Sequence, residues 1–256
     1  MYEAVFIAAT GLRHQQARMD VIANNVANVN SAAYKTARLD FKDALHTTGV
    51  IPGLPRTRDS EGGNQQKGHG VMIAQIMKDP RTGSMQATGR ELDIAIEGEG
   101  YLALRDLFGE TVYTRNGSLH LDDDQWLVSG DGYFIYDVNG QPIQAPPQTT
   151  NINIDQFGNI TFFAIGQEAT YSLGFYTFRN VSGLESAGYG NYRESVSSGD
   201  RRTADVVIRQ GVLEMSNVGL ADEMTSMIRT QRALQLCARA LKTADEMEGQ
   251  ANNMKR

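Results

Sequence analysis

At each end of this chain, large apolar side chains recur every seven residues, and that constrains the fold more than any other feature. Near the start, Val5, Leu12, Met19 and Val26 are spaced by seven. Ala8, Ile22 and Val29 sit three residues after Val5, Met19 and Val26, and Gln15 fills the remaining slot. This is an a/d pattern over nearly four heptads, with the polar His14, Gln16, Arg18 and Asp20 off the seam. It predicts a helix over residues 2–29, roughly 40 Å long, stopped at Asn28, Asn30 or Ser31. Near the end, Leu220, Met227, Leu234 and Leu241 repeat the spacing, with Met224, Gln231, Ala238 and Asp245 as a second row. Asn217 is the expected N-cap of a helix of roughly 30 residues. Gly219 costs about 1 kcal/mol relative to Ala inside a helix, which favours a later start.

Each stripe is too narrow to be covered alone, and pairing the first helix with the last is the simplest remedy. Ala8, Ala23, Ala233 and Ala238 would allow close approach. By periodicity, a helical hairpin within a monomer and a seam for self-assembly are both open. On the second reading Gln15 and Gln231 would help set register. The methionines Met19, Met215, Met224, Met227 and Met247 would tolerate repacking against similar neighbours.

The middle has a different chemistry. Residues 1–48 carry five Lys/Arg and four Asp/Glu, residues 211–256 carry six of each, and the middle carries 13 and 20. All of the excess acid in the net charge of −6 therefore lies between the ends. That balance argues against nucleic acid or an anionic membrane as the main partner. With 41% apolar and 21% charged residues, the chain has the make-up of a folded protein. No run of about 18 apolar residues occurs. The first residues do not resemble a secretory signal peptide, because Glu3 stands where a basic region belongs and the apolar run ends at Leu12. Export would need another route.

Residues 49–70, rich in Gly and with two Pro, read as a linker or extended loop. Beyond it, short alternating segments predict strands at 71–76, 92–96, 101–104, 111–114, 118–121, 126–129, 133–136, 152–154, 160–165, 171–178 and 205–208. Asn116-Gly117, Asn139-Gly140 and Phe157-Gly158-Asn159 read as tight turns. These segments are too close together for βαβ units, so the sheet should be mainly antiparallel. The expected fold is α+β and elongated: long N- and C-terminal helices paired as a coiled coil, with a mainly antiparallel β middle domain. The expected divisions are 1–48, 49–70, 71–210 and 211–256.

Candidate chemistry is thin. Gly98-Glu99-Gly100-Tyr101-Leu102-Ala103 matches G-x-G-x-x-A, but a dinucleotide site needs a helix next, and YLALR alternates like a strand. Asp122-Asp123-Asp124 lacks the spacing of a calcium loop and reads as a hairpin tip. His14, His46, His69 and His120 have no metal-binding spacing and are expected at the surface. Cys237 permits no intrachain disulfide and has no nearby His. No catalytic, cofactor or metal site is expected. A wall hydrolase would need a carboxylate pair that nothing in the sequence selects.

Residues 8–30, AATGLRHQQARMDVIANNVANVN, resemble the N-terminal signature of the bacterial flagellar rod and hook axial proteins. Its core runs from Asp20 through Asn24, Asn25 and Asn28 to Asn30. Ser31-Ala-Ala-Tyr34-Lys35 follows, with Ala33 where glycine is usual. The stretch from Thr88 to Tyr101, the turn Tyr113-Thr-Arg-Asn-Gly-Ser-Leu119, and Gln210-Gly-Val-Leu-Glu-Met-Ser-Asn-Val218 with Glu223-Met224 and Thr230-Gln-Arg-Ala233 resemble further motifs of that family, in order. Residues 65–101 and the last motif look most like the distal-rod members, with proximal rod and hook as alternatives.

The resemblance implies a structural protein of the flagellar basal body, exported through the flagellar type III apparatus without a cleaved signal peptide. It also implies helical self-assembly into a shaft around the export channel. The implied partners are further copies of the chain, other rod proteins, the hook protein and ring proteins. On this reading Val5, Leu12, Met19, Ile22 and Val26 pack against Leu220, Met224, Met227, Leu234 and Leu241, within and between subunits. Asn24, Asn25 and Asn28 are expected to satisfy backbone groups near the end of the first helix. An adhesin or phage-tail component with a coiled-coil stalk would share the architecture, but would not be expected to carry the D-V-I-A-N-N-V-A-N-V-N run.

Overall fold

The seven-residue rows form the two helices they predict. In the computed structural model, helix α1 runs Tyr2–Ala27 and helix α2 runs Leu220–Asn253. The structure describes residues 2–43, 46–49, 65–68, 71–106 and 109–254. Helix α1 ends where the side chain of Asn28 takes over: its Oδ1 accepts the Ser31 hydroxyl at 3.1 Å, and its carbonyl accepts the Ser31 N–H. Helix α2 starts after Gly219, so this residue costs the helix nothing. Everything between is mainly antiparallel β structure, and the fold is α+β. The residues expected to form a linker, 49–70, lie outside the described residues apart from Gly49 and the strand Gln65–Gly68.

The chain divides into two compact units. The first combines the described parts of 1–26, 37–77 and 220–256, and so contains both helices. Its β component is a ribbon of Ala37–Asp43 with Val71–Lys78, together with the pair His46–Gly49 and Gln65–Gly68. Leu39 is buried in this unit, and the ring of Phe41 meets His14 edge-on at 5.9 Å. His14 is therefore a packing residue and not a surface one, because its imidazole has an aromatic neighbour to cover it. His120 is exposed as expected, and His69 lies outside the described residues.

The second unit spans 27–36 and 78–219. Its nine-stranded sheet runs, in spatial order, Glu185–Gly188, Asn191–Arg193, Thr111–Thr114, Tyr101–Arg105, Phe134–Ile135, Leu127–Ser129, Leu119–Leu121. Phe175–Phe178 branches from Tyr101–Arg105 and carries Arg201–Thr203 on its other edge. A three-stranded meander, Thr149–Ile154, Asn159–Ala164 and Gln167–Ser172, completes the larger elements. Ile96, Leu104, Leu127, Ile135, Ile160 and Phe162 lie fully buried in one continuous core. At about 1.5–3 kcal/mol for each large side chain removed from water, that core suffices to hold the unit.

Three turn expectations hold, and one is Asn139-Gly140, where the Gly140 N–H donates to the Asp137 carbonyl in the tight loop between Tyr136 and Pro142. Asp122–Gln125 is a hairpin tip, and Gly158, at φ +85°, turns the meander. Asn116-Gly117 is different. The strands flanking it pair with other partners, and a Cβ on Gly117 would lie 1.8 Å from the Ile94 carbonyl oxygen. Glycine is required there for a close backbone approach, and not for a hairpin.

Candidate assembly site

In the second unit, Glu214 ends the short strand Val212–Glu214 and is 2% exposed. Its Oε1 accepts Lys35 Nζ at 2.6 Å and the Gly83 N–H at 2.9 Å, and its Oε2 accepts Arg115 Nε at 3.0 Å. Its backbone carbonyl accepts the Ala33 N–H at 2.8 Å. Lys35 also donates to the Arg81 carbonyl, and Arg115 Nη2 donates to the carbonyls of Ile96 and Gly98. Both cations are buried with the carboxylate. A buried ion costs several kcal/mol unless it is paired and hydrogen-bonded, and here both oxygens of Glu214 are used. Burial pushes the Lys35 ammonium below the ordinary lysine range, and the bond and charge of Glu214 oppose that push.

Local backbone geometry aims these groups. Ala33 takes φ +55° and turns the chain after α1 so that Lys35 points at Glu214. Alanine thus adopts the left-handed turn that a glycine at this position would provide. Gly98, at φ +111°, presents its carbonyl to Arg115. The G-E-G segment is therefore a turn, followed by the strand Tyr101–Arg105.

Asn217 is not an N-cap. Its Oδ1 accepts both the backbone N–H and the hydroxyl of Thr36, each at 2.7 Å. Its Nδ2 donates to the carbonyls of Asp79 and Arg81 at 3.1 and 2.9 Å. All four hydrogen-bonding positions of the amide are filled, and this ties the segment entering the unit to the segment leaving it.

In the first unit, Asn25 is buried on α1. It exchanges two 2.9 Å bonds with the backbone of Ala37, and its Nδ2 also donates to Glu223 Oε1 on α2 at 3.0 Å. A second α1–α2 approach occurs at Gly11, whose missing Cβ would lie 3.6 Å from Cys237 Sγ. Asn25 and Gly11 are fourteen residues apart, and so are Glu223 and Cys237, running in opposite directions. On α1, Ile22 is buried, Val5, Leu12, Met19 and Val26 are half-buried, and Asp20 and Asn24 are exposed; beyond its end, Asn28 is half-buried and Asn30 exposed. On α2, Met227, Leu234 and Leu241 are half-buried, along a covered line through Glu223, Thr230, Cys237 and Ala244. Leu220 and Met224 are exposed, together with Ile228, Leu236 and Met247. The second row that the sequence suggested, Met224, Gln231, Ala238 and Asp245, is exposed throughout.

Known proteins resemble the chain along its whole length. Residues 7–35 match the family described as "Flagella basal body rod protein", residues 95–162 the "Flagellar hook protein FlgE/F/G D1 domain", and residues 209–254 the "Flagellar basal body rod FlgEFG protein C-terminal". The flagellar basal-body rod protein FlgG of Bacillus subtilis is 36% identical over 267 aligned residues, covering all of both chains. That of Borreliella burgdorferi is 35% identical over 270, again covering both completely. The chain belongs to the flagellar basal-body rod protein family. A second Bacillus subtilis relative, the flagellar hook-basal body complex protein FlhP, is 27% identical over 273 residues.

This rod protein is thus a structural component of the flagellar basal body, within a family of structural proteins and not of enzymes. It resembles FlgG, or distal-rod, proteins over its full length. The polar positions that organise it were missed as sites. Lys35, Arg115, Glu214 and Asn217 each fall in a quoted family motif, yet they lie up to about 180 residues apart and share no spacing rule. The one available signal was a charged or amide side chain fixed inside each motif.

Proposed function

We propose that this rod protein is a self-assembling subunit of the flagellar rod, of the distal type, that polymerises helically through its terminal helices. The polymer is the axial drive shaft and encloses the export channel. Subunits leave the cytoplasm through the type III apparatus without a cleaved signal peptide. They meet further copies, other rod proteins, the hook protein and the surrounding ring proteins. In this reading α1 and α2 form an antiparallel coiled-coil pair, and the matching fourteen-residue separations support a single two-heptad register. Segments 1–48 and 211–256 serve assembly, 49–70 links, and 71–210 is the β-rich middle domain.

The observation that carries the proposal is the unequal covering of α2. Its Met227–Leu234–Leu241 row is partly covered within the chain, while Leu220, Met224, Ile228, Leu236 and Met247 leave apolar surface in water. Met224 is 55% exposed and Leu236 is 63% exposed. Leu220, Met224 and Ile228, four residues apart, form a row along one side of the helix and mark an interaction surface, and a head-to-tail contact that does not close gives a helical polymer. The test compares Met224→Asp and Leu236→Asp with the unchanged chain by sedimentation and electron microscopy. Both variants are expected to fold as monomers with unchanged circular dichroism and to form no filaments. Filaments at the unchanged critical concentration would refute the proposal.

A further inference from the structure

Helix α2 is covered along one side only, through Glu223, Thr230, Cys237 and Ala244. Its opposite side is exposed, and the charges there are sorted by sign. Arg232 lies nine positions beyond Glu223, about two and a half turns on, and so on the far side of the helix. Arg239 and Glu246 follow Arg232 at intervals of seven and continue that line. Beside it run Asp222 and Arg229, again seven apart. Between Glu223 and Asp245 the helix carries no carboxylate, and Arg229, Arg232, Arg239 and Lys242 stand there exposed to water. The free face is thus acidic at Asp222, basic through its middle, and acidic again at Asp245 and Glu246.

The fold of one chain gives no reason for this order. Neighbouring like charges on a helix, as at Arg229 with Arg232 or Arg239 with Lys242, oppose it slightly. The helix dipole favours cations over carboxylates toward the C-terminal end, where Asp245 and Glu246 stand and the last turn carries no cation. Among the described residues, Arg229, Arg232 and Arg239 form no ion pair. Lys242 meets Glu246 at 3.8 Å, with the two side chains 79% and 60% exposed. An exposed pair of that length adds little, and it leaves Glu246 open to a second cation. Apolar surface lies among the charges: Ile228 and Leu236, four residues to either side of Arg232, are 53% and 63% exposed.

We propose that a second copy of this chain docks its own α2 along the free face of α2, parallel to the first and slid by about two heptads, roughly 21 Å. At that offset Glu246 of one copy meets Arg232 of the other, because the two lie fourteen positions apart in the chain. The same slide carries Arg239 toward Asp222 and Asp245 toward Arg229. Without it, Arg232 and Arg239 of each copy face their own kind, and such like-charge juxtaposition is strongly disfavoured. Ile228 and Leu236 supply apolar contact, and the charges select the register. This rests on the self-assembly reading and adds to it what fixes the step between neighbours. The acidic end of one copy and the basic middle of the next are different surfaces, so the contact repeats along a series of subunits without closing on a pair.

The experiment uses the full chain and two charge reversals, with assembly followed by sedimentation. Glu246→Arg and Arg232→Glu are each expected to keep the helix circular dichroism of the unchanged chain, since both positions are exposed, and to raise the critical concentration about tenfold. An equimolar mixture of the two variants is expected to assemble near the unchanged critical concentration, because each supplies the charge that the other lacks. Positions 232 and 246 are roughly 21 Å apart along one helix, too far for this rescue to arise within a chain. Single variants that assemble like the unchanged chain, or a mixture no better than its components, would overturn the offset while leaving helix-driven assembly standing. An unchanged chain that forms no polymer would remove both proposals together.

Discussion

The Glu214 cluster in the second unit and the α1 seam in the first treat buried polar atoms differently. Around Glu214, both carboxylate oxygens and the backbone carbonyl have partners, and the nearby Asn217 amide is fully used. On the seam, Gln15 Oε1 is buried without a hydrogen-bond partner among the described residues, and so is Nδ1 of the adjoining His14. The first arrangement is complete within one chain. The second carries a cost that a single chain does not relieve, since an unsatisfied buried acceptor costs about 1–3 kcal/mol.

The sharpest way to break this comparison is at Glu214. Glu214→Ala leaves Lys35 and Arg115 buried without their anion, and should cost about 3–5 kcal/mol of stability. Urea unfolding followed by tyrosine fluorescence measures it, and a loss below 1 kcal/mol would mean that water already screens the cluster. On the seam the sign reverses. Gln15→Leu should stabilise the dilute monomer by about 1 kcal/mol, read as a higher midpoint in helix circular dichroism. A destabilised Gln15→Leu would show that the glutamine is satisfied after all. The smallest effect is at Ala33. Relieving its left-handed backbone with Ala33→Gly should yield a net gain of about 0.5 kcal/mol, because the strain removed slightly exceeds the chain entropy added. Differential scanning calorimetry would register it, and a loss of stability would mean that the packing of the buried Ala33 methyl outweighs the strain.

How far the fold could be read from sequence follows the same division. The helices were legible because a seven-residue row is a local signal, and α1 and α2 fall within a few residues of expectation. Strands with apolar alternation, such as Tyr101–Arg105 and Asn159–Ala164, were legible too. Glu185–Gly188 and Arg201–Thr203 were not, because they are polar edge segments defined by their partners. The stretch expected as one strand over 171–178 is two, interrupted at Leu173 and Gly174. The Glu214 cluster was invisible for the same reason as the misread Asn116-Gly117: its meaning lies in contacts between distant segments. Family resemblance pointed to those residues, but only the coordinates say what they do.

The ties between residues 33–36 and 214–217 also clamp two distant stretches of the chain together. One set of hydrogen bonds joins them. Everything from there outward is a loop already closed at its base, and the entropy of such a loop grows only slowly, by about 0.6 kcal/mol for each doubling of its length. Extra strands, or a whole additional module, could therefore be grafted at turns between them without these ties registering the change. Bulk and spacing become separate design variables, one adjustable while the other stays fixed.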